Sequence, residues 1–226
     1  MAYRCVTTSV AGFVQQLAVS YIPNGYWFYV AGRIPEHKDP AATDMKLVAR
    51  YDLDVSRWTR ARQKKTGRAG VQYLRYDRFF VLLATHGEHS FFTEEGKQIR
   101  DVRRQSLHFM GYAIGCRKGR DGEWHPSVRI ARGLFSELKQ LFAAMAVHRS
   151  VEEWCDEFRR IDFEPYAPVR DQMRVLLRAV NRARHAAGLE QVPQSALRLR
   201  RIPVKPFADR VDLNRDQPSG QFPVVN

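Results

Sequence analysis

The segment Thr85–His89, THGEH, contains the residue types best suited to catalysis in this sequence. The carboxylates that follow it are Glu94, Glu95 and Asp101. Imidazoles and carboxylates together bind the divalent metal of many phosphodiester-cleaving enzymes, in which the metal activates water and neutralises the leaving oxygen. Residues three apart on a strand face opposite sides, so His86 and His89 converge only if Gly87 breaks the strand.

Two interpretations of this segment follow. One is a Mg²⁺- or Mn²⁺-dependent nuclease with His86, His89 and Glu94 as catalytic residues. The other, which we favour, gives the histidines a structural or phosphate-contacting role and needs no metal or other cofactor. The spacing matches neither HExxH nor a His-hydrophobic-His strand. No Walker-type glycine loop and no Ser-His-Asp or Cys-His order is recognisable elsewhere in the sequence, which disfavours a kinase, an ATPase or a common hydrolase.

The three cysteines, Cys5, Cys116 and Cys155, are far apart and form no CxxC pair. They therefore predict neither a zinc ribbon nor a disulfide framework, and they fit the reducing cytoplasm. No hydrophobic run has the length of a membrane span or the form of a secretory signal. We therefore expect a cytoplasmic protein without a membrane partner.

Positive charge is the largest departure from an average composition. The chain has 37 Lys and Arg against 24 Asp and Glu, a formal net charge of +13. Such an excess favours polyanions, nucleic acid first. The candidate nucleic-acid-binding residues are Arg57, Arg60, Arg62, Lys64, Lys65, Arg68, Arg100, Arg103, Arg104, Arg170, Arg174, Arg178, Arg182, Arg198, Arg200, Arg201 and Lys205.

Two predicted helices carry most of this charge. Residues 55–65 contain five cations in eleven residues, which would repel one another unless solvent or phosphate neutralised them. Within residues 168–187, Arg170, Arg174, Arg178 and Arg182 recur every four residues and so form one slowly winding stripe. A nucleic-acid backbone would neutralise this stripe. The rival explanation is pairing with the carboxylates of the preceding helix, Glu152, Glu153, Asp156 and Glu157.

The order of elements predicts an α+β fold. Asp39-Pro40 opens a helix through about residue 51, residues 55–65 form the second helix, and Val71–Tyr76 with Phe79–Thr85 form a β-hairpin. This order within residues 40–86 is that of a winged helix-turn-helix. We expect Ser106–Cys116 to be one strand buried on both faces, and we expect it to join His125–Ile130 in extending the first sheet.

The C-terminal part is predicted to be helical. Apolar residues recur at helical spacing from Gly133 to about residue 148, Ser150 and Glu153 form a capping box, and a long helix ends at Gly188. We therefore divide the chain into a mixed α/β basic domain of antiparallel hairpins at 1–131, a helical domain at 132–190 and a basic, Pro-containing tail at 191–226. The tail is expected to be extended, or disordered until bound.

Two motifs resemble parts of the reverse transcriptases of group II intron type. Arg75–Ala84, RYDRFFVLLA, is similar to their palm hairpin, in which an Arg-Tyr-Ala-Asp-Asp-Phe run precedes apolar residues. His108–Ile114, HFMGYAI, is similar to their later Phe-Leu-Gly-Tyr strand, and a basic helical region follows as a thumb would. Only Asp77, next to Arg78, occupies the place of the aspartate pair. The resemblance therefore does not imply two-metal polymerisation.

The sequence thus predicts a nucleic-acid-binding protein that contacts mainly the phosphates of DNA or RNA, as an accessory component of a mobile-element or defence-type nucleoprotein complex. One alternative is the metal-dependent nuclease centred on His86 and His89. The other is a basic interaction protein whose partner is an acidic protein.

Overall fold

Two antiparallel sheets flanked by helices form the fold in the computed structural model, which describes residues 3–208 apart from the side chain of Arg57. The α+β class predicted from the sequence is confirmed. The strands are β1 (Phe28–Arg33), β2 (Val71–Tyr76), β3 (Phe79–Ala84), β4 (Arg100–Asp101), β5 (Leu107–Phe109), β6 (Tyr112–Lys118) and β7 (Trp124–Ile130). The α-helices are α1 (Val10–Gln15), α2 (Pro40–Arg50), α3 (Arg57–Lys65), α4 (Ser90–Glu95), α5 (Arg132–Met145), α6 (Val151–Arg160) and α7 (Ala167–Ala186).

The first sheet has the strand order β2-β3-β1-β4. The predicted hairpin supplies the edge strand β2 and the inner strand β3, with Val71 opposite Ala84 and Tyr76 opposite Phe79, and Asp77 adopts a positive φ of 50° in the turn. Alternate side chains enter different cores: Leu74 and Val81 lie in one, whereas Tyr73 and Leu82 lie in another. Period-two alternation of this kind places each face of the hairpin against apolar side chains.

The winged helix-turn-helix interpretation of residues 40–86 stays a prediction. Strand β3 is hydrogen-bonded on both edges, to β2 and to β1. Five residues of β2 and four of β3 are buried. The apolar side chains that predicted a hairpin are therefore part of the hydrophobic core.

The second sheet is separate and has the order β5-β6-β7, so the expectation that these strands extend the first sheet is wrong. The predicted single strand Ser106–Cys116 is also wrong, because Met110 and Gly111 turn the chain with φ of 45° and 79°. The apolar residues at both odd and even positions of Ser106–Cys116 belong to two short strands that pair with each other. Phe109 and Ile114 pack with Leu74 and Val81, so one core joins the two sheets.

The N-terminal segment is helical. Ser9 caps α1 by accepting a hydrogen bond from the Gly12 N–H at 3.0 Å, and a π-helical segment, Gln16–Tyr21, continues it. Phe13 and Leu17 are fully buried in the core that joins the sheets. Among residues 3–208, no helix is long and apolar enough to cross a bilayer.

The C-terminal helices α5, α6 and α7 form the predicted three-helix part. The capping box at the start of α6 is present, with Ser150 and Glu153 bonded to each other's backbone N–H. Trp154 and Phe158 of α6 are buried against Leu176 of α7 and the rest of a second core. Helix α7 joins the second sheet through the side-chain amide of Gln172, which exchanges two hydrogen bonds with the backbone of Ile130.

The described part of the predicted tail, residues 191–208, packs against the rest of the fold. Val192 and Leu197 are buried in the helical core. Residues 198–208, which we call the strap, then run back to α1, where the Gln15 side chain donates to the Val204 carbonyl at 2.6 Å and accepts from the Val204 N–H at 3.1 Å. The remainder of the predicted tail, 209–226, lies outside the described residues.

Candidate nucleic-acid interface

Helix α3 is a polar helix that lies on the surface between defined ends. Ser56 caps it by accepting a hydrogen bond from the Thr59 N–H at 3.1 Å. It ends where Gly67 takes a φ of 81°, and the N–H groups of Gly67 and Arg68 donate back to the carbonyls of Lys64 and Gln63. This C-terminal motif needs a residue in the left-handed region, which glycine adopts without strain. None of the α3 side chains that the structure describes is buried.

Five cations on and after α3 form what we call the α3 surface: Arg60, Arg62, Lys64, Lys65 and Arg68. Within the described part of the chain, no carboxylate oxygen lies within 4.0 Å of their charged nitrogens. Cations in the last turn gain about 0.3–1 kcal/mol each from the helix dipole, which offsets part of their mutual repulsion. Among residues 3–208, these five cations therefore form no salt bridge. Arg57 opens the helix, but its side chain lies outside the description.

Arg60 differs from its neighbours because it faces the body of the protein. It lines three adjoining pockets under and beside α3, of about 500, 760 and 470 Å³. Its charge lies near the buried hydroxyls of Tyr3 and Tyr21. Burial raises the pKa of Tyr3 well above its ordinary value and that of Tyr21 to about 12, and Arg60 counters part of both shifts. Both tyrosines are therefore neutral, so neither of them is an anionic partner for Arg60.

The 500 Å³ pocket joins α3 to the THGEH segment. The N–H of Ala69 donates to the Glu88 carbonyl, and the N–H of Glu88 donates to the Gly67 carbonyl, each at 3.0 Å. Gly87 permits this contact, since its φ is 136° and a Cβ there would lie 2.6 Å from backbone atoms of residues 67 and 69. The pocket's polar lining includes Arg60, Arg68 and His89. The structure thus brings one predicted catalytic residue next to two predicted phosphate-binding residues.

The three predicted catalytic residues have separate roles in the fold. His89 caps α4, and its Nδ1 accepts the Phe91 N–H at 3.0 Å. Burial lowers the pKa of His89, although the charge of Glu94 counters part of that effect. Glu94 is ion-paired with Arg50, and His86 is exposed, with its ring 6.4 Å from that of Phe28.

A metal site would need these ligands to gather around one point. Among residues 3–208, no group of three or more His, Cys, Asp and Glu side chains is placed to hold a metal ion. His89 already uses one ring nitrogen for the α4 cap. The residues present therefore do not fit the metal that the nuclease alternative requires.

The predicted cluster at residues 100–104 is divided between the surface and the fold. Arg103 donates to both carboxylate oxygens of Asp101, at 2.6–3.1 Å, and its guanidinium lies 4.1 Å from the centre of the Trp27 ring. Burial alone would raise the pKa of Asp101, but Arg103 lowers it overall. Arg103 thus stabilises the fold, while Arg100 and Arg104 are exposed.

The predicted stripe on α7 is present but is largely engaged with its own helix. Arg170 donates to the Pro165 carbonyl at 3.0 Å, Arg174 pairs with Asp171 at 2.9 Å, and Arg178 donates to the Arg174 carbonyl at 3.3 Å. Arg182 is exposed. The rival explanation of pairing with α6 is also not seen, since the described ion pairs of the α6 carboxylates are with Arg149, Arg159 and Arg160.

The cations of the strap contribute to its docking. Arg198 is ion-paired with Glu164, and Arg201 donates to the Gln15 side chain at 2.8 Å. Arg200 and Lys205 are exposed on the same segment. The strap is therefore held partly by residues that the sequence assigned to nucleic acid.

The hairpin that resembles a polymerase palm holds a buried ion pair. Arg75 donates to both carboxylate oxygens of Asp44 at 2.7 Å, and the Tyr73 hydroxyl donates to the same carboxylate at 2.6 Å. Asp77 lies at the exposed turn, 4.0 Å from Arg33. The buried polar residues of this hairpin thus stabilise the fold, whereas the aspartate that stands in the place of the palm motif lies in an exposed turn.

One residue of the interface was missed by sequence reasoning. Trp58 on α3 is 84% exposed, whereas Trp154 is fully buried. Its signal in the sequence is a tryptophan directly after Arg57 in a segment whose other residues are polar or small. No protein-family model, curated protein or solved structure matches this chain, so the α3 surface stands as the candidate site on its geometry and charge.

Proposed function

We propose that this protein binds nucleic acid, and that the phosphates bind along the α3 surface. The single observation that carries the proposal is Arg60, a guanidinium turned toward the protein body with no carboxylate within ion-pair distance among the described residues. A charge that is partly removed from water is costly unless an opposite charge accompanies it. A phosphate would supply that charge.

The neighbouring cations support a polyanion over a single small anion. Arg62, Lys64 and Lys65 are exposed on α3, and Arg68 follows the helix at the mouth of the 500 Å³ pocket. Successive phosphates of a nucleic-acid backbone match such a row, and each one that is neutralised releases condensed counterions. Phosphate contacts of this kind position the protein and carry no sequence information directly.

The test is fluorescence anisotropy of labelled DNA and RNA oligonucleotides across a salt series. One variant combines Arg60→Gln, Arg62→Gln, Lys64→Gln and Lys65→Gln. The matched control combines Arg170→Gln, Arg174→Gln, Arg178→Gln and Arg182→Gln and removes the same formal charge. For the wild-type protein, log affinity should fall steeply with log salt. The slope should decrease by about 1 per cation lost from α3, and by much less in the control.

Each other outcome has a defined meaning. Equal losses in both variants would show that net charge, and not the α3 surface, determines binding. Absence of binding at moderate salt would overturn the proposal and favour an acidic protein partner. Incubation of the oligonucleotides with the protein and Mg²⁺ or Mn²⁺ tests the nuclease alternative. Cleavage products that the wild type forms and His86→Ala does not would support a catalytic role for the THGEH segment.

A further inference from the structure

The exposed indole of Trp58 stands at one side of a cleft between α3 and the N-terminal segment. This pocket of about 760 Å³, which we call the aromatic cleft, lies within the range of about 300–1,000 Å³ that is typical of ligand sites. Its aromatic lining residues are Tyr3, Tyr21, Trp58 and Phe207. The cleft thus offers ring faces, which is what an unpaired nucleobase needs for stacking.

The floor of the aromatic cleft also carries hydrogen-bonding groups. Gln72 is only 7% exposed; its amide oxygen accepts from the Tyr3 hydroxyl at 2.9 Å, and its amide nitrogen donates to Tyr26 at 3.4 Å. The second N–H of that amide has no acceptor among the described residues. Asp54 lines the same cleft and presents acceptor oxygens. A planar ligand with donors and acceptors on its edge would satisfy these groups.

Arg60 connects this cleft to the phosphate site. It lines the aromatic cleft and also the 500 Å³ pocket that contains Arg68. A base in the cleft and its phosphate at Arg60 would together place one nucleotide across α3. Paired bases do not present their faces, so a duplex would have to unstack and unpair a base, at a cost of a few kcal/mol, to fill the cleft.

We propose that the ligand of the α3 surface is single-stranded nucleic acid, one base of which enters the aromatic cleft and stacks on Trp58. This inference rests on the proposed function and adds the strandedness of the ligand and a base-binding site. The phosphates supply the salt-dependent part of affinity, whereas the base supplies a part that salt does not change.

The experiment compares three labelled ligands of equal length: an oligo(dT) strand, the same strand with abasic sites, and a duplex. The wild-type protein should bind oligo(dT) at least tenfold more tightly than the other two. Trp58→Ala should lower affinity for oligo(dT) roughly tenfold and leave the salt slope unchanged, because it removes a stacking ring and no charge. Trp124→Ala, which removes a partly exposed indole on β7, should bind like the wild type.

The outcomes separate this inference from the proposed function. Equal affinity for single strand and duplex, together with no effect of Trp58→Ala, would overturn the base site and leave phosphate binding intact. Failure of all three ligands to bind would overturn the proposed function itself. Circular dichroism of both tryptophan variants confirms that each is folded, and quenching of indole fluorescence by oligo(dT) should be lost in Trp58→Ala alone.

Discussion

Helices α3 and α7 carry similar runs of cations but use them differently. Helix α7 buries six residues, including Arg184, and its stripe is tied to an aspartate and to backbone carbonyls. Helix α3 buries none of its described residues, and its described cations have no ion-pair partner within residues 3–208. A run of arginines therefore indicates a binding surface only where the fold has not already used the charges.

The two helices also differ in what maintains them. Helix α7 has 20 residues and an apolar face in the core, whereas α3 has nine and relies on Ser56 and on its C-terminal turn. Isolated helices shorter than about 12–15 residues are marginal in water, and like charges weaken them further. A bound polyanion would remove that repulsion, so ligand binding and the stability of α3 should be linked.

The largest expected effect lies in α7. Arg184 is 3% exposed and donates to the carbonyls of Ala146 and Arg149 at 3.0 and 2.6 Å, which ties α7 to the end of α5. Arg184→Ala would remove the Arg184 donor from the Arg149 carbonyl and leave the Ala146 carbonyl with the Trp154 indole N–H, and it should lower the free energy of unfolding by about 3 kcal/mol. Urea denaturation measures this. The control, Arg182→Ala, should change stability by less than about 0.5 kcal/mol; similar losses in both would contradict the structural role of Arg184.

The next effect concerns binding through α3. Arg60→Ala should weaken nucleic-acid affinity roughly tenfold, about 1.4 kcal/mol, and should leave the free energy of unfolding unchanged or higher because it removes an unpaired charge. Anisotropy titration and urea denaturation of the same sample measure the two quantities. Arg178→Ala on α7 is the matched control with near wild-type affinity. A strong loss of stability in Arg60→Ala would show that Arg60 serves the fold instead.

Acid pH probes the α3 side of the molecule, because His89 lines the pocket beneath α3. Burial lowers the pKa of His89 below its ordinary value, so the unfolded chain takes up a proton before the folded protein does. The free energy of unfolding should therefore fall as pH decreases from 7.5 through about 6.5 to 5.5. His89→Asn keeps an α4 cap that does not titrate, and it should show a smaller loss over this range. An identical pH dependence in both proteins would contradict the assignment.

The smallest effects come from making each helix resemble the other. Ala61→Glu places a carboxylate three and four residues before Lys64 and Lys65, and should stabilise the protein by about 0.2–0.5 kcal/mol relative to Ala61→Gln while weakening binding a few-fold. Asp171→Asn should release Arg174 and cost a similar amount of stability. Thermal denaturation with anisotropy measures both. Tighter binding by Ala61→Glu would exclude phosphates from α3.

Local patterns predicted the elements of this fold well. Apolar period, the Asp39-Pro40 start and the Ser150 capping box correctly predicted α2, α5, α6 and α7, because each acts within a few residues, whereas α1 and α4 were not predicted. Tertiary placement was not predictable in the same way. The sequence did not show that β3 pairs with β1 as well as with β2, and the turn at Met110 was hidden by apolar neighbours.

The candidate site was predictable in part for the same reason. The sequence indicates Arg60 and Arg68 as cations, but not that Arg60 faces inward or that α7's Arg174 has a partner. The sequence suggested that the two histidines are catalytic, because the spacing of His86 and His89 does not reveal that His89 caps a helix. The aromatic cleft unites residues from both ends of the described chain, so no local pattern could reveal it.

The strap has a consequence for how the protein matures during synthesis. Gln15 and Val204 are bonded across 189 residues, and Phe207 at the end of the strap lines the aromatic cleft. At about 5–20 residues per second, a ribosome needs roughly 10–40 seconds to make the chain between these contacts. The contact between α1 and the strap therefore forms only after most of the chain has been translated. The cleft gains Phe207, one of its four aromatic lining residues, only when the strap docks, so a nascent chain would expose the cations of α3 before its base site is complete.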